Sequence, residues 1–159
     1  MRRMVDTVEI AAPREVVWAA FVDLSCWADW NSVLTRAAPA GPESCLLEGG
    51  AFSCCLRPYR FPVTFKARVE EAVAPSRLLW TVRRLGVHSR HWFHLREEGG
   101  GTVLESVEEL TGLLVTLAGP FFPLGKLRRL GRLFLEELKQ EAERRASAPG
   151  ERAPAATGR

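Results

Sequence analysis

Residues 124–145 read LGKLRRLGRLFLEELKQEAERR, and this stretch near the end of the 159-residue chain says most about its fold. At about 100° per residue, the apolar side chains fall on one stripe of a helix. The stripe consists of Leu124, Leu127, Leu130, Gly131, Phe134, Leu135, Leu138 and Ala142. Most charged residues lie outside it, and Leu133 is the apolar exception on the opposite face. The pattern predicts a long amphipathic helix that needs a large apolar partner surface.

The preceding hundred residues predict that this partner is an antiparallel sheet. Residues 4–10 alternate as a strand, and Pro13 then suits the first position of a helix. Two short helices are predicted, in PREVVWAAFVDL and CWADWN. Strands joined by short turns follow, which is typical of an antiparallel meander. They are predicted at 33–37, 45–56, 63–73, 77–84, 87–96 and 102–111.

Length and composition limit the remaining possibilities. The chain suits one domain, residues 1–146, and the segment 147–159 is rich in small residues and proline, which predicts a disordered tail. The net charge of +3 is too small to indicate nucleic-acid binding. The N-terminus lacks a signal peptide's apolar region, and no apolar run is long enough to span a bilayer. We therefore expect a cytoplasmic protein.

The cysteines and histidines do not predict a metal or cofactor. The four cysteines show no zinc-binding spacing, so we expect reduced, structural thiols. His88, His91 and His94 share one predicted strand. A period of two places His91 on the opposite face from the other two, so the three side chains cannot converge on one ion.

His91 is nevertheless a candidate for chemistry. It shares a strand face with Phe93, and the next strand carries Glu105, Glu108 and Glu109 within reach, depending on register. One interpretation is an acid/base pair with shifted pKa values. The other is a structural hydrogen bond that joins two strands. Other catalytic signatures, such as GxSxG, HExxH, a P-loop or GxGxxG, are absent from the sequence.

The segment 112–123, GLLVTLAGPFFP, is strongly apolar and contains two prolines. It would serve as a lid, or as a surface for peripheral contact with a membrane or a protein partner, and the basic residues that follow it would suit an anionic surface. The alternative is a loop packed over the end of the sheet.

Two stretches resemble the START-like (SRPBCC) superfamily, which includes polyketide cyclases and Bet v 1-type proteins. The first is VEIAAPREVVWAAFVDLSCWADWN, and the second is PSRLLWTV followed by HWFHLREEGGGTVLESVEELTG. The resemblance covers about residues 4–145. It implies an α+β helix-grip fold, in which a seven-stranded antiparallel sheet curls around the long C-terminal helix, with two short helices after the first strand. The cavity of such proteins lies between helix and sheet, and the family has no single catalytic motif.

The resemblance implies binding of a small hydrophobic molecule, lipid-like or polyketide-like, in that cavity. The expected lining is Phe65, Trp80, His91, Phe93, Leu127, Leu130, Phe134 and Leu138. Two alternatives stay open. One is an enzyme of the cyclase or aromatase type, with His91 and Glu109 as catalytic candidates. The other is a non-catalytic interaction module that uses residues 112–123.

Overall fold

The computed structural model describes residues 1–57 and 61–148. Within them, the strands are β1 (Arg2–Ile10), β2 (Thr35–Pro39), β3 (Ala51–Leu56), β4 (Val63–Val73), β5 (Arg77–Arg84), β6 (Val87–Glu98) and β7 (Gly101–Thr111). The α-helices are α1 (Arg14–Val22), α2 (Trp27–Trp30), α3 (Leu113–Ala118) and α4 (Leu124–Ser147). Short 3₁₀ turns at Leu24–Cys26 and Gly119–Phe121 precede α2 and α4.

The seven strands form one antiparallel sheet in the order β1-β7-β6-β5-β4-β3-β2. All strands from β2 to β7 are neighbours in chain order, which is the predicted meander. The first strand, β1, lies at one edge of the sheet and pairs with the last strand, β7, so that Val5 lies opposite Val107. The sheet curls around α4, and the predicted α+β helix-grip architecture is confirmed.

The apolar stripe of α4 faces the sheet, as predicted. Phe134, Leu135, Leu138 and Ala142 are buried, whereas Leu133 on the other face is 44% exposed. Hydrogen bonds from the chain's first third hold the helix in place. The backbone N–H of Ser32 donates to Glu137 at 2.9 Å, and that of Ala11 donates to Glu143 at 2.8 Å.

The last turns of α4 bury a carboxylate. Glu141 is only 8% exposed and accepts two 2.8 Å hydrogen bonds from Arg144 and one of 2.6 Å from Arg145. The two hydrogen bonds from Arg144, together with the one from Arg145, lower the pKa of Glu141 although burial opposes this. The carboxylate is therefore ionised and paired at neutral pH.

An aromatic cluster fills the centre of the molecule, between the short helices, the sheet and α4. It contains Phe21, Trp27, Phe52, Trp80, Phe93 and Phe134. Phe21 lies 4.8 Å from Phe93 and 5.9 Å from Phe134, between ring centroids. The indole N–H of Trp27 donates to the carbonyl oxygen of Phe21 at 2.9 Å, so burial leaves it satisfied.

Two details differ from the sequence-based expectation, and a third prediction is not tested. The strand predicted at 33–37 begins at Thr35, because the backbone N–H groups of Val33 and Leu34 donate to the side chain of Asn31. The strand predicted at 45–56 begins at Ala51, because a turn closed by the Gly50 N–H and the Leu47 carbonyl precedes it. Residues 112–123 form α3 and a 3₁₀ turn. The tail predicted for 147–159 lies outside the described residues, except that residue 147 ends α4 and residue 148 follows it.

The four cysteines are free thiols. Burial raises the pKa of Cys54 to about 12, with a smaller contribution from neighbouring Cys55. Cys54 is therefore a protonated packing group at neutral pH. No helix in the described part of the chain is long and apolar enough to cross a membrane.

Replacing Phe21 with alanine should greatly destabilise the protein, because this fully buried ring touches several members of the aromatic cluster. We expect the free energy of unfolding in urea to fall by about 3–5 kcal/mol. The matched variant Leu133→Ala, at a largely solvated position, should change it by less than about 0.5 kcal/mol. Similar losses in the two variants would contradict the placement of the core.

Candidate ligand-binding cavity

A cavity of about 500 Å³ lies between the first half of α4 and one end of the concave sheet. Its walls come from β3, the starts of β4 and β6, the ends of β5 and β7, the segment 33–34 before β2, the α3 region and α4. The lining is Val33, Leu34, Phe52, Leu56, Val63, Phe65, Trp80, Val82, Arg84, Leu85, Val87, Ser89, His91, Glu108, Leu110, Leu114, Ala118, Phe121, Phe122, Pro123, Leu127, Leu130, Gly131 and Phe134. Most of these side chains are apolar.

Strand alternation and one glycine explain why space remains at this end. Val63 and Phe65 on β4, and Trp80 and Val82 on β5, point inwards at every second position. Opposite them, Gly131 of α4 carries no side chain, and a Cβ built there would meet no atom within 4 Å. The helix therefore leaves room where a larger residue would fill the interior.

One wall of the cavity is polar. The Ser89 hydroxyl donates to Glu108 Oε1 at 2.6 Å, and His91 Nε2 lies 2.7 Å from Ser106 Oγ. His91 and Glu108 are direct cross-strand partners of β6 and β7, which places their side chains on the same face. We name Ser89, His91, Ser106 and Glu108 the polar quartet. Ser89, His91 and Glu108 line the cavity, whereas Ser106 contacts His91 and is not among the lining residues. The two serines were not predicted from the sequence, although each is two residues from a quartet member on its own strand.

His91 is neutral at pH 7. Burial lowers its pKa below the ordinary value, while the nearby Glu108 carboxylate acts in the opposite direction. The imidazole is held between rings, with its centroid 4.1 Å from Phe93 in a stacked arrangement and 5.5 Å from Trp80. A neutral imidazole facing a cavity has the protonation state that a general base requires.

Six of the eight predicted lining residues are brought together here: Phe65, Trp80, His91, Leu127, Leu130 and Phe134. Phe93 and Leu138 are not among the lining residues and are completely buried in the core. Phe93 lies one inward position beyond His91 on β6 and packs on Phe21, and Leu138 lies one turn beyond Phe134 on α4. Both side chains lie on the inward face, at its packed end.

Glu109, the predicted acidic partner of His91, lies on the opposite face of the sheet. Its carboxylate is 3.8 Å from Arg3 Nε of β1. The side chains of neighbouring strand residues point in opposite directions, so Glu108 faces the histidine instead. Across residues 1–57 and 61–148, no group of three or more His, Cys, Asp or Glu side chains is arranged to hold a metal ion.

The α3 region covers the mouth of the cavity. Gly112, with φ of 110°, turns the chain from β7 into α3, and a Cβ at this position would collide with the carbonyl oxygen of Gly86. That same carbonyl accepts a 3.2 Å hydrogen bond from the Leu114 N–H. The β5–β6 turn and α3 are thus joined at one edge of the mouth.

A second depression, of about 570 Å³, lies at the other end of the sheet, between the β6–β7 turn and the side chains of Lys139 and Glu143. It is more open and more polar than the cavity beside α4. The mainly apolar cavity is therefore the better candidate site for a small molecule.

Comparison with solved structures shows the same fold in other proteins. A protein from Thermus thermophilus is 12% identical with a TM-score of 0.77, and 92% of this chain and 100% of that one are covered. A truncated norcoclaurine synthase from Thalictrum flavum is 15% identical with a TM-score of 0.66, over 87% and 91% of the two chains. The di-domain ARO/CYC protein BexL of the BE-7585A biosynthetic pathway is 17% identical with a TM-score of 0.66, over 94% and 51%.

No curated protein sequence matches this chain. A family model described as polyketide cyclase / dehydrase and lipid transport matches residues 1–143, which include every strand and nearly all of α4. That match confirms the resemblance seen in the sequence. The chain belongs to the polyketide cyclase / dehydrase and lipid transport family.

Proposed function

We propose that this protein binds a small hydrophobic molecule, lipid-like or polyketide-like, in the cavity between α4 and the sheet. The observation that carries the proposal is a largely apolar cavity of about 500 Å³. Sites for small ligands commonly measure about 300–1,000 Å³ and are lined mainly by apolar and aromatic groups. The family description supports this class of ligand. A protein-interaction module needs no internal cavity, so a completely filled interior would have favoured that alternative instead.

The apolar walls supply most of the binding free energy in this proposal. A ligand that buries about 300 Å² of apolar surface gains about 7.5 kcal/mol, at about 25 cal/mol per Å². The loss of translational and rotational freedom consumes much of that gain. A ligand must therefore fill the space well, and molecules much smaller than the cavity will bind weakly.

The polar quartet gives the ligand an orientation. Glu108 Oε1 is occupied by Ser89, and His91 Nε2 by Ser106. The second oxygen of Glu108 and the other ring nitrogen of His91 have additional hydrogen-bonding capacity. A ligand with a hydroxyl or carbonyl group at one end would satisfy this wall and leave its apolar part against Phe65, Trp80 and Leu130.

Gly131→Leu should block the cavity without harming the fold, because a Cβ built there meets no atom within 4 Å and the cavity that Gly131 lines can hold the rest of the side chain. We expect the affinity for the neutral dye Nile Red, measured by fluorescence titration, to fall by about tenfold or more. The matched control is Gly125→Leu, because Gly125 is also an unobstructed glycine of α4 but does not line the cavity. That variant should bind the dye like the wild type.

Phe134 is a poorer probe of the site, since it also packs on Phe21 and Trp27 in the core. Equal dye binding by wild type and Gly131→Leu would contradict the proposed site. Weaker binding in both glycine variants would show instead that leucine on α4 perturbs the whole helix.

A second candidate function is acid/base catalysis of the cyclase or dehydratase type on a ligand held in the same cavity. The specific observation in its favour is the polar quartet, in which a neutral His91 and the Glu108 carboxylate share one wall. In this proposal His91 removes a proton next to a ligand carbonyl group, and the Glu108 carboxylate stabilises the resulting imidazolium.

His91→Asn should remove this activity and keep binding. We expect the protein to accelerate deuterium incorporation next to the carbonyl of 2-tetralone, followed by proton NMR, and the variant to lose about 100-fold or more of that acceleration. Because burial lowers the pKa of His91, the wild-type rate should stay high as pH falls to about 6.5 and decline only at lower pH. Unchanged exchange in His91→Asn, with Nile Red binding intact, would rule out this mechanism.

A further inference from the structure

Five large apolar side chains surround the mouth of the cavity and point into solvent. We name them the hydrophobic rim: Leu85 (78% exposed), Leu113 (68%), Leu114 (46%), Leu117 (74%) and Phe121 (91%). Three of them, Leu85, Leu114 and Phe121, also line the cavity at its opening. Proteins that act as free monomers in water seldom gather so many exposed apolar side chains in one place, so such patches commonly mark an interaction surface.

The rim is one surface although its members come from two parts of the chain. The Leu114 N–H donates to the Gly86 carbonyl at 3.2 Å, and a Cβ at Gly86 would contact both Leu113 and Leu114. The β5–β6 turn that carries Leu85 therefore rests directly on the start of α3. Leu117 and Phe121 continue the surface along α3 and the 3₁₀ turn.

Leu85 is an unusual residue for its position. Its φ of 46° lies in the left-handed region, which favours glycine or asparagine, and Gly86 after it also has a positive φ, of 73°. A bulky side chain here costs backbone energy and gains little burial, since it is 78% exposed. Folding alone does not favour leucine at this turn, but contact with an apolar phase would.

The charged residues that flank the rim in the sequence are all positive. Residues 72–96 and 110–135 contain no aspartate or glutamate, whereas Arg83 and Arg84 precede Leu85 directly and Lys126 and Arg129 follow the 3₁₀ turn. Farther along α4, Arg128 and Arg132 lie 3.4 Å and 3.8 Å from the Asp6 carboxylate. An apolar surface with a basic border matches an anionic lipid surface, in which phosphate groups surround a hydrocarbon interior.

We propose that the hydrophobic rim docks on an anionic lipid bilayer, with the mouth of the cavity facing the membrane. The basic border argues against a second copy of this chain, because a symmetric contact between two rims would bring like charges together. The cavity opens in the middle of the docked surface, so an apolar ligand would pass between bilayer and cavity without crossing water. This role as an exchange point rests on the proposed ligand binding, but docking itself does not.

Vesicle flotation with the purified protein tests the proposal. We expect the wild type to float with vesicles of phosphatidylcholine and phosphatidylglycerol, and to bind pure phosphatidylcholine vesicles at least about tenfold more weakly. Raising NaCl from about 0.1 M to 1 M shortens the Debye length from about 10 Å to 3 Å and should weaken binding to the anionic vesicles.

The informative variant is Leu113→Ser with Leu117→Ser, since both side chains are exposed and neither lines the cavity. It should bind anionic vesicles at least about tenfold more weakly and keep wild-type affinity for Nile Red. The matched control is Val5→Ser with Leu47→Ser, two exposed apolar positions away from the rim, which should float like the wild type.

Two results would overturn the proposal. One is a wild type that does not float with anionic vesicles, or that floats equally well after the rim substitutions. The other is a dimer in light scattering that dissociates on those substitutions, which would identify a second copy as the occupant of the rim. Neither result bears on ligand binding, because Nile Red titration in vesicle-free solution tests that separately.

Discussion

Along α4, the same apolar stripe makes two kinds of contact, and the rest of the structure depends on this division. From Phe134 onwards the stripe is buried against the sheet and the short helices, whereas Leu127, Leu130 and Gly131 face an open space. The aromatic cluster around Phe21 marks the border between the two halves. Because the packed half fixes the helix, the other half can stand away from the sheet without collapsing onto it. A stable fold and an internal cavity therefore share one helix.

The fold was predictable from the sequence because the helical stripe and the strand alternation both indicated the same architecture, a sheet packed against one long helix. The stripe in 124–145 and the alternation in residues such as 63–73 are strong periodic signals. The exact lining of the cavity was harder to predict from the sequence. Periodicity tells which way a side chain points but not where the packed core ends and the cavity begins. Phe93 and Leu138 point inwards, but they are packed in the core and do not line the cavity. Glu108 and Glu109 could be separated only by the register of β6 and β7, which no short-range pattern fixes.

The α3 region was the least predictable part and has the largest effect on how the site opens. Pro120 and Pro123 indicate that no continuous helix runs into α4. The sequence does not show, however, that a short helix fits between Gly112 and Pro120. Its position is set by the contact of Gly112 and Leu114 with the Gly86 carbonyl, between residues distant in sequence. This contact joins the mouth of the cavity to the exposed leucines of the rim. The mouth of the cavity and the hydrophobic rim are therefore built from the same segments, the β5–β6 turn and α3.

Ligand binding by this fold is tested most directly by native mass spectrometry of the protein, before and after incubation with an extract of apolar cellular lipids and metabolites. The central claim is that α4 and the sheet enclose a site for a hydrophobic molecule beside the polar quartet. It predicts a protein species with one added mass, of small-molecule size, that disappears when the protein is denatured. A bare protein mass under both conditions, from a sample shown to be folded, would contradict it.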